Sequence, residues 1–325
     1  MNNFKKIGLT ALAGSLVATS VYAGEISVAG SASLRMSNHA GTEGGKTMAM
    51  GNQLTFTGSG EMDNGMNVAL SFILDQGDNT VDAEAATTAA ATGGPFDSHS
   101  ITISSDAMGS IVFAGEGASS AQNTIDTTAA GDIWDNTFTS AAGAAYGKPG
   151  NASAGTKTLL WALPSMVDGL GVTTSYTGST TDAEATIGYA LTYTGVEGLS
   201  VSYGAGEVAG NTAGTTGADV TTMKASFAFG PVTAAMSIND YDITGASNEE
   251  QSSYKVSYTV SDDLSVSYGS ETHETTNGTD EEFSQISVSY TTGGLTATIS
   301  ETDAENVGGA GREQSKWNVG LSFAF

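Results

Sequence analysis

The chain has 325 residues, with 35 acidic and 10 basic side chains and a formal net charge of −25. This acidic balance argues against binding to nucleic acid or anionic lipid through bulk charge, and it suits a surface that binds divalent cations or repels anions. The absence of cysteine excludes disulfides and thiolate metal sites. A mean hydropathy of −0.07 is low for a helical membrane protein but is expected where only every second residue meets lipid.

Residues 1–23 have the pattern of a secretory signal. A short basic start precedes an apolar stretch at 7–18 that is too short and too rich in glycine to span a membrane as a helix. Val21-Tyr22-Ala23 then places small residues where a signal peptidase cuts. We predict cleavage after Ala23, which leaves a mature chain of residues 24–325.

The C-terminal segment has the clearest period of two. Large apolar residues occupy the odd positions from Trp317 to Phe325, and small or polar residues occupy the even positions. Such alternation puts one face of a strand in lipid and the other in water. The same pattern recurs along the chain in segments of about ten residues, the length that a tilted strand needs to cross a bilayer.

Short turns alternate with longer, acidic connections. The turns are rich in Gly, Asp and Asn and lie at 63–65, 106–109, 167–169, 196–198, 230–231, 261–263 and 292–294. The longer connections lie around 38–49, 76–97, 242–250, 274–281 and 303–313. This asymmetry is typical of a transmembrane barrel.

Together these patterns predict an all-β, antiparallel transmembrane β-barrel of 16 strands. The predicted strands begin near residues 25, 52, 66, 98, 109, 157, 170, 185, 199, 219, 232, 251, 264, 282, 295 and 314. The short segments at 98–105 and 109–115 leave counts of 14 and 18 open.

The third long connection, at about 115–156, differs from the others. Connections of this length are uncommon in a compact fold unless they are functional. It has too many apolar side chains for a solvated loop, namely Ile125, Ile133, Trp134, Phe138 and Tyr146. We therefore predict that this third loop folds into the lumen and packs on the inner wall.

The chain resembles the trimeric Gram-negative porins, especially the general porins of alphaproteobacteria. The resemblance rests on the signal sequence, the strand count, the terminal Phe325 and the third loop with Asp126, Asp132, Trp134 and Asp135. It covers essentially the whole mature chain. It implies a homotrimer in outer-membrane lipid that passes small hydrophilic solutes and ions by diffusion, with the third loop as the pore constriction.

Candidate constriction residues come from the third loop and the wall. The loop acids are Glu116, Asp126, Asp132 and Asp135, although ordinary solvated loop acids remain the alternative. Strand parity points four basic residues inward, namely Arg35, Lys224, Lys255 and Lys316, while Lys157 points outward. This is less basic than the wall of similar porins, so we expect a mild preference for cations.

No catalytic motif stands out, and we predict that the chain is not an enzyme. His39, His99 and His273 fall in predicted loops or at strand ends, and neither a G-x-S-x-G nor an H-E-x-x-H pattern occurs. No cofactor is expected. Calcium could bind loosely at two acidic outer connections, one with Asp75, Asp78 and Asp82 and the other with Glu301, Asp303 and Glu305, but neither matches a known calcium loop and surface charge alone is the simpler account.

Tyrosine is absent from residues 24–145 and frequent on the strands from Tyr176 to Tyr290. Because aromatic girdles belong at lipid interfaces, the strands near 25–115 and 314–325 are predicted to face another subunit, with chance clustering as the alternative. Two other functions stay open: a substrate-specific outer-membrane channel of the same fold, and a secreted acidic β-rich adhesin.

Overall fold

The structure, a computed structural model, is a closed barrel of 16 antiparallel strands. It describes residues 24–40, 45–75, 96–133, 151–152, 157–178, 184–210, 217–243, 245, 248–275, 279–307, 311 and 313–325. The predicted signal sequence lies outside these residues. Each strand pairs with its neighbours in chain order, and β1 pairs with β16.

The strands of the first half are β1 Glu25–Ala40, β2 Gly45–Glu61, β3 Asn67–Asp75, β4 Phe96–Ser105, β5 Gly109–Glu116, β6 Thr158–Ala162, β7 Leu170–Thr177 and β8 Thr186–Tyr193. Those of the second half are β9 Leu199–Val208, β10 Ala218–Phe229, β11 Val232–Ile243, β12 Glu249–Thr259, β13 Leu264–Thr275, β14 Glu281–Thr292, β15 Leu295–Glu305 and β16 Gln314–Ala324. Among the described residues, no helix is long and apolar enough to cross a bilayer.

The barrel closes where the two ends of the chain meet. β1 and β16 run antiparallel from the pair Ser31–Ala324 to the pair Ala40–Ser315. Beyond the ladder, the Phe325 amide donates to the Gly30 carbonyl at 2.9 Å, and the Gly30 amide donates to the Phe325 carbonyl at 2.8 Å. The terminal aromatic residue therefore takes part in the closure itself.

The two faces of the wall have opposite chemistry, as the period of two predicts. On β12, Tyr254 is 53% exposed on the outside, whereas its neighbour Ser253 is fully buried on the inside. On β10, Met223 is exposed and Thr222 is buried. The buried interior is therefore largely polar and the outer face is largely apolar.

Short turns close one end of the barrel at every predicted position, and glycine in the left-handed region serves most of them. Its φ is positive at Gly65, Gly109, Gly169, Gly198, Gly230 and Gly293. Glycine takes this conformation without the steric conflict that a Cβ brings. The turn signals in the sequence were thus correct.

The predicted connection at 38–49 is wrong. β1 continues to Ala40 and β2 begins at Gly45, so these two strands form one long hairpin, with Met48 and Met50 exposed on the outside. The acidic triplet from Glu301 to Glu305 also belongs to a strand, β15, rather than to a loop. All three histidines lie within strands, with His39 and His273 close to strand ends, as predicted, and His99 the fourth residue of β4.

Gly198 and Gly65 provide a matched test of the turns. Both have a positive φ, of 75° and 79°, but a Cβ on Gly198 would lie 2.4 Å from the Ala228 carbonyl oxygen, while a Cβ on Gly65 would meet nothing within 4 Å. We expect Gly65→Ala to lower the free energy of unfolding by about 1–2 kcal/mol, because only the left-handed conformation disfavours alanine there. Gly198→Ala should lower the free energy of unfolding further, so its folded band on a gel should disappear at a lower temperature. Equal temperatures for the two variants would contradict this.

Candidate functional site

The chain leaves the wall at a β-bulge at the end of β5. The register between β4 and β5 shifts between His99 and Ser100, so that Gly115 has no partner across the ladder. A Cβ on Gly115 would fall 1.9 Å from the His99 imidazole, which explains the glycine. Bulges of this kind end strand pairing and redirect the chain. The described part of the third loop that follows, residues 117–133, is called the inner segment below.

The inner segment lies inside the barrel against glycines of the wall. A Cβ on Gly204 of β9 would lie 3.1 Å from the Gln122 Cα, and one on Gly206 would lie 2.7 Å from the Ala152 Cβ. On β13, a Cβ on Gly269 would lie 2.8 Å from the Ala130 Cβ and 3.1 Å from the Ile133 Cδ1. Glycine at these positions lets the loop approach the wall closely.

Gln122 joins the first part of the inner segment to β10 and to the returning chain. Its side-chain amide nitrogen donates to the Thr222 hydroxyl at 2.7 Å and to the Asn151 side chain at 3.3 Å. Its amide oxygen accepts from the Ala152 backbone at 2.8 Å. The side chain is fully buried, and these bonds satisfy its polar atoms.

The buried backbone of the inner segment is held by wall serines. Ser175 of β7 accepts from the Ala121 amide at 2.8 Å. Ser253 of β12 accepts from two successive amides, those of Ala129 at 3.0 Å and Ala130 at 2.8 Å. The segment is therefore anchored on both sides of β10 by hydrogen bonds that a buried backbone requires.

Apolar side chains complete the docking at each end. Ile125 and Ala121 form a buried cluster with Ala190 of β8, against which Leu160 packs. The other cluster joins the end of the segment to β14, β15 and the residues after it, and consists of Ala130, Ile133, Phe283, Ala304 and Val307. The prediction that the apolar third loop folds inward and packs on the wall is confirmed for Ile125 and Ile133. Trp134, Phe138 and Tyr146 lie outside the described residues.

An ion pair between Lys224 and Asp126 joins the inner segment to the wall. The Lys224 ammonium of β10 lies 2.6 Å from an Asp126 carboxylate oxygen and donates to the Thr128 carbonyl oxygen at 2.8 Å. The side chains of Lys224 and Asp126 are 25% and 54% exposed, so water screens the pair in part. Direct contact means that no opening separates this predicted acid from this predicted base.

The other predicted constriction residues occupy different environments. Arg35 lies on the inward face of β1, in register with Gly320 of β16. Lys255 lies on the inward face of β12, in register with Gly269. Lys316 also has inward parity, but it is only 1% exposed, so bulk water does not reach its side chain freely. The remaining acids are Glu116 and Asp132, both exposed, and Asp135, which lies outside the described residues.

Glu116 borders a cavity between the start of the inner segment and the wall. The cavity has a volume of about 310 Å³ and is lined by hydroxyl-bearing residues of β3, β4 and β6, including Ser71, Ser100 and Thr158. The inner segment therefore does not fill the barrel on this side.

His273 lies in a buried acidic setting on β13. Its ring nitrogens are 3.7 Å from a Glu249 oxygen and 3.5 Å from a Glu281 oxygen, and the side chain is 4% exposed. No group of three or more His, Asp or Glu residues in the described part of the chain is arranged to hold a metal ion. Asp78 and Asp82 lie outside that part, and loosely bound calcium stays a prediction.

Sequence reasoning missed the residues that hold the loop: Gln122, Thr128, Ser175, Ser253 and the docking glycines. Ser253 and Gly269 share the inward parity predicted for Lys255. What could not be found from parity is which loop atoms meet them, because Ser253 and the amides it binds are 123 and 124 positions apart.

A family model described as Gram-negative porin matches residues 8–325 of this chain. The chain belongs to the Gram-negative porin family. Comparison with curated protein sequences gives no match. The family assignment of this porin therefore rests on the family model.

Several solved structures share this fold. An anion-selective porin from Comamonas acidovorans matches with a TM-score of 0.66 at 12% identity. A triple mutant of the Rhodopseudomonas blastica porin matches with a TM-score of 0.65 at 13% identity. A loop-deletion mutant of OmpT, an outer membrane protein of Vibrio cholerae, matches with a TM-score of 0.61 at 15% identity. Each match covers 93% of this chain and 100% of the other.

Family and fold together describe an outer-membrane, multi-pass β-barrel porin, which is a channel rather than an enzyme. The predictions of fold, family and location are confirmed. A secreted adhesin and a substrate-specific channel are not favoured by these findings.

Gly269 and Gly320 offer a matched test of loop docking in this porin. Both are glycines of the inward face, but a Cβ on Gly320 would meet nothing within 4 Å. We expect Gly269→Ala to push Ala130 and Ile133 off the wall and to lower single-channel conductance in planar bilayers, whereas Gly320→Ala should conduct as the unmodified protein does. Identical conductance in both variants would mean that the contact at Gly269 does not position the loop.

Proposed function

We propose that small hydrophilic solutes and ions diffuse through a water-filled passage between the inner segment and the wall formed by β16 and β1–β5, with a mild preference for cations. The observation that carries this proposal is the one-sided docking of the inner segment. Gly117 lies beside Ser98 of β4 where the loop leaves the wall, and the contacts of the rest of the segment fall on β6–β10 and on β12–β15. β1 lies halfway around the ring from β9, so the part of the lumen that the described residues leave open lies on the side of β1.

The wall across this passage is weakly polar. On β1 and β2, the inward positions are mostly serine, threonine, glycine and alanine, as in the register pairs Ser27–Thr57, Ser33–Gly51 and Ser37–Thr47. Arg35 is the one inward-facing Lys or Arg among the described residues of β1–β5. Such a wall supports passage of many small polar solutes rather than selection of one.

The charge balance near the inner segment favours cations. Lys224 is paired with Asp126, and Lys316 is buried, so neither presents a full positive charge to the passage. Asp132 and Glu116 are exposed acids. Carboxylates act over a screening length of about 8–10 Å at moderate salt, which is comparable with the width of a constricted channel.

Whether the channel prefers cations or anions depends on these charged residues and not on the fold. The Comamonas acidovorans porin has the same architecture and is described as anion-selective. At 12% identity, that likeness concerns the backbone, while selectivity depends on the charged side chains. The acidic excess of this chain supports the opposite sign.

Replacement of single charges tests the proposal through the reversal potential in a KCl gradient across a planar bilayer. We expect Asp132→Asn to lower the permeability ratio of K⁺ to Cl⁻ about twofold or more, because a unit charge at about 5–8 Å in water is worth about 0.5–0.8 kcal/mol. Lys224→Gln should raise the ratio, because Asp126 then loses its counter-charge.

Asp240→Asn is the control, because Asp240 is an exposed acid on the outward face of β11. This variant also removes one negative charge, but outside the lumen, so it should leave the permeability ratio of K⁺ to Cl⁻ unchanged. An anion preference in the unmodified protein, or no change on replacing Asp126, Asp132 and Asp135 together by Asn, would refute the proposed selectivity. Folded protein that gives no conductance at all would refute passive diffusion.

We also propose that the barrel forms a homotrimer through the sector made of β16 and β1–β5. These strands adjoin one another in the ring. Their exposed outward side chains are mostly aliphatic or methionine, with the aromatic residues Phe113, Trp317 and Phe323. Phe56 stacks on Phe72 with ring centroids 5.0 Å apart. Among the described residues, exposed tyrosines are confined to β7–β14, at Tyr176, Tyr189, Tyr193, Tyr203, Tyr254, Tyr258, Tyr268 and Tyr290. Tyrosine suits a lipid interface, which supports lipid contact for that side.

Single cysteines report which side meets lipid, since the chain has none of its own. We expect a fluorophore on Leu70→Cys of β3 to be poorly quenched by brominated lipid, because the subunit contact excludes lipid there. The same fluorophore on Val288→Cys of β14 should be strongly quenched. Both side chains are exposed in the single barrel, at 47% and 38%. Equal quenching, together with a monomer mass in mild detergent, would rule out this interface.

A further inference from the structure

A cavity lies where the inner segment leaves the wall, and it is called the root cavity below. Its volume is about 310 Å³. Strands β3–β6 line it on the side of the wall, and Gly117, Ser119 and Thr124 line it from the inner segment. This volume is at the lower end of the range found for small-molecule pockets. The root cavity therefore has space for one small solute.

The wall of the root cavity presents a row of hydroxyl groups. Ser71 of β3 is in register with Ser100 of β4, and Ser100 is in register with Ala114 of β5. Ala114 is in turn in register with Thr158 of β6. All four residues line the cavity, and directly paired residues on neighbouring strands lie about 5 Å apart. Ser71 and Ser100 therefore lie side by side, and the small Ala114 leaves space between Ser100 and Thr158.

The serine hydroxyls of the root cavity are available to a ligand. Within the part of the chain that the structure describes, no hydrogen bond engages the side chains of Ser71, Ser98, Ser100 or Ser119. All four serines are half-buried. Thr158 differs, because its hydroxyl lies 3.2 Å from the Thr177 hydroxyl. Since a serine hydroxyl both donates and accepts, each of these serines can bond to a hydroxyl group of a solute in either role.

The charges at the root cavity favour a neutral solute. Glu116 is the one carboxylate among the described lining residues, which include neither lysine nor arginine. An anionic solute therefore meets repulsion from Glu116 and no counter-charge. A metal ion needs several oxygen ligands, but no group of three or more His, Asp or Glu among the described residues is arranged to hold one. A neutral solute with hydroxyl groups fits best, because an ionised carboxylate accepts hydrogen bonds from them.

Aliphatic side chains complete the lining of the root cavity. They are Ile73, Val112 and Leu160, each two positions along its strand from a member of the hydroxyl row. Residues two apart on a strand share a face, so these side chains border the row. A sugar ring carries C–H groups on its faces and hydroxyl groups around its edge. Its chemistry therefore matches a site that places aliphatic contacts beside hydroxyl groups and one carboxylate.

We propose that the root cavity binds a small neutral solute with several hydroxyl groups, such as a monosaccharide, through Ser71, Ser100 and Glu116. The role of this site rests on the proposed function, because the solute reaches the root cavity from the aqueous passage. Binding is weak, because each hydrogen bond to the solute replaces one to water. The site recognises a class of solute and adds a saturable step to passive diffusion.

Saturation-transfer NMR with glucose on the folded protein in detergent tests the proposal. We expect a saturable signal from the unmodified protein. Ser71→Ala combined with Ser100→Ala, and separately Glu116→Gln, should each raise the dissociation constant for glucose about tenfold, because hydrogen bonds to the solute are lost. Triethylene glycol dimethyl ether, which has no hydroxyl group to donate, should give no saturable signal.

Ser200 and Ser226 provide the matched control. They are a second pair of half-buried, inward-facing serines in register on neighbouring strands, β9 and β10, and neither lines the root cavity. Replacing both by alanine removes the same two hydroxyls elsewhere in the lumen and should leave the dissociation constant for glucose unchanged. A tenfold rise in this control would mean that glucose binds elsewhere, and the proposal would be wrong.

Two further results would overturn the proposal: a glucose signal that does not saturate, or a dissociation constant that neither the Ser71 and Ser100 replacements nor Glu116→Gln changes. Should the double serine variant fail to give the folded band on a gel, Glu116→Gln decides alone, because Glu116 is exposed and its replacement keeps the shape of the side chain.

The NMR measurement requires no conductance, so it separates this site from the proposed function. Folded protein that conducts ions but does not bind glucose would refute the site at the root cavity and leave the proposed function standing. Folded protein that binds glucose through Ser71 and Ser100 but gives no conductance would refute passive diffusion, while the binding site would stand.

Discussion

Hydrocarbon offers no hydrogen-bonding partner to a peptide group, so a sheet that crosses an outer membrane cannot leave an edge unpaired. In this porin, β1 pairs with β16, so the sheet has no edge there. The hydrogen bonds between Gly30 and Phe325 extend this pairing as far as residue 325. In a closed barrel, every strand has one face toward the lipid and one toward the lumen. On β12, for example, Tyr254 points outward and its neighbour Ser253 points inward. The rest of the interior is built from that inward set of side chains.

An inward set of small polar residues has a second consequence. A loop that enters the lumen brings buried amides and carbonyls that also require partners. Serine hydroxyls at 175 and 253 accept from those amides, and glycines at 204 and 269 let the loop backbone come close. The small polar residues that make the wall hydrophilic therefore also bind the loop, and two small apolar clusters complete its packing.

The alternation of residues was sufficient to predict most strands, because each is long enough to show the period and ends at a glycine-bearing turn. The hairpin of β1 and β2 is the exception. Asn38, His39 and Lys46 read as a polar loop, yet the ladders with β2 and β16 continue through Asn38 and His39. Pairing on two sides supplies the backbone bonds, so strands persist where the side chains alone favour a loop.

For the candidate site, the sequence predicted only whether each strand residue faces the lumen or the lipid. Parity assigns Lys224, Lys255 and Lys316 to the inward face alike, but one is ion-paired with the loop, one is half-buried beside Gly269 and one is fully covered. These differences depend on where the inner segment lies, and Lys224 and Asp126 are 98 positions apart in the chain. Long-range contacts of this kind leave no local signal in the sequence.

Under the proposed function, the inner segment has two tasks that make opposite demands on its acids. A carboxylate that anchors the loop works best against a lysine, which cancels much of its field, whereas a carboxylate that attracts cations must keep its charge uncompensated. Asp126 anchors the loop through Lys224. The Thr128 hydroxyl, which carries no charge, contacts the carboxylates of Asp126 and Asp132 and accepts from the amides of Gly131 and Asp132, so hydrogen bonds orient this part of the loop.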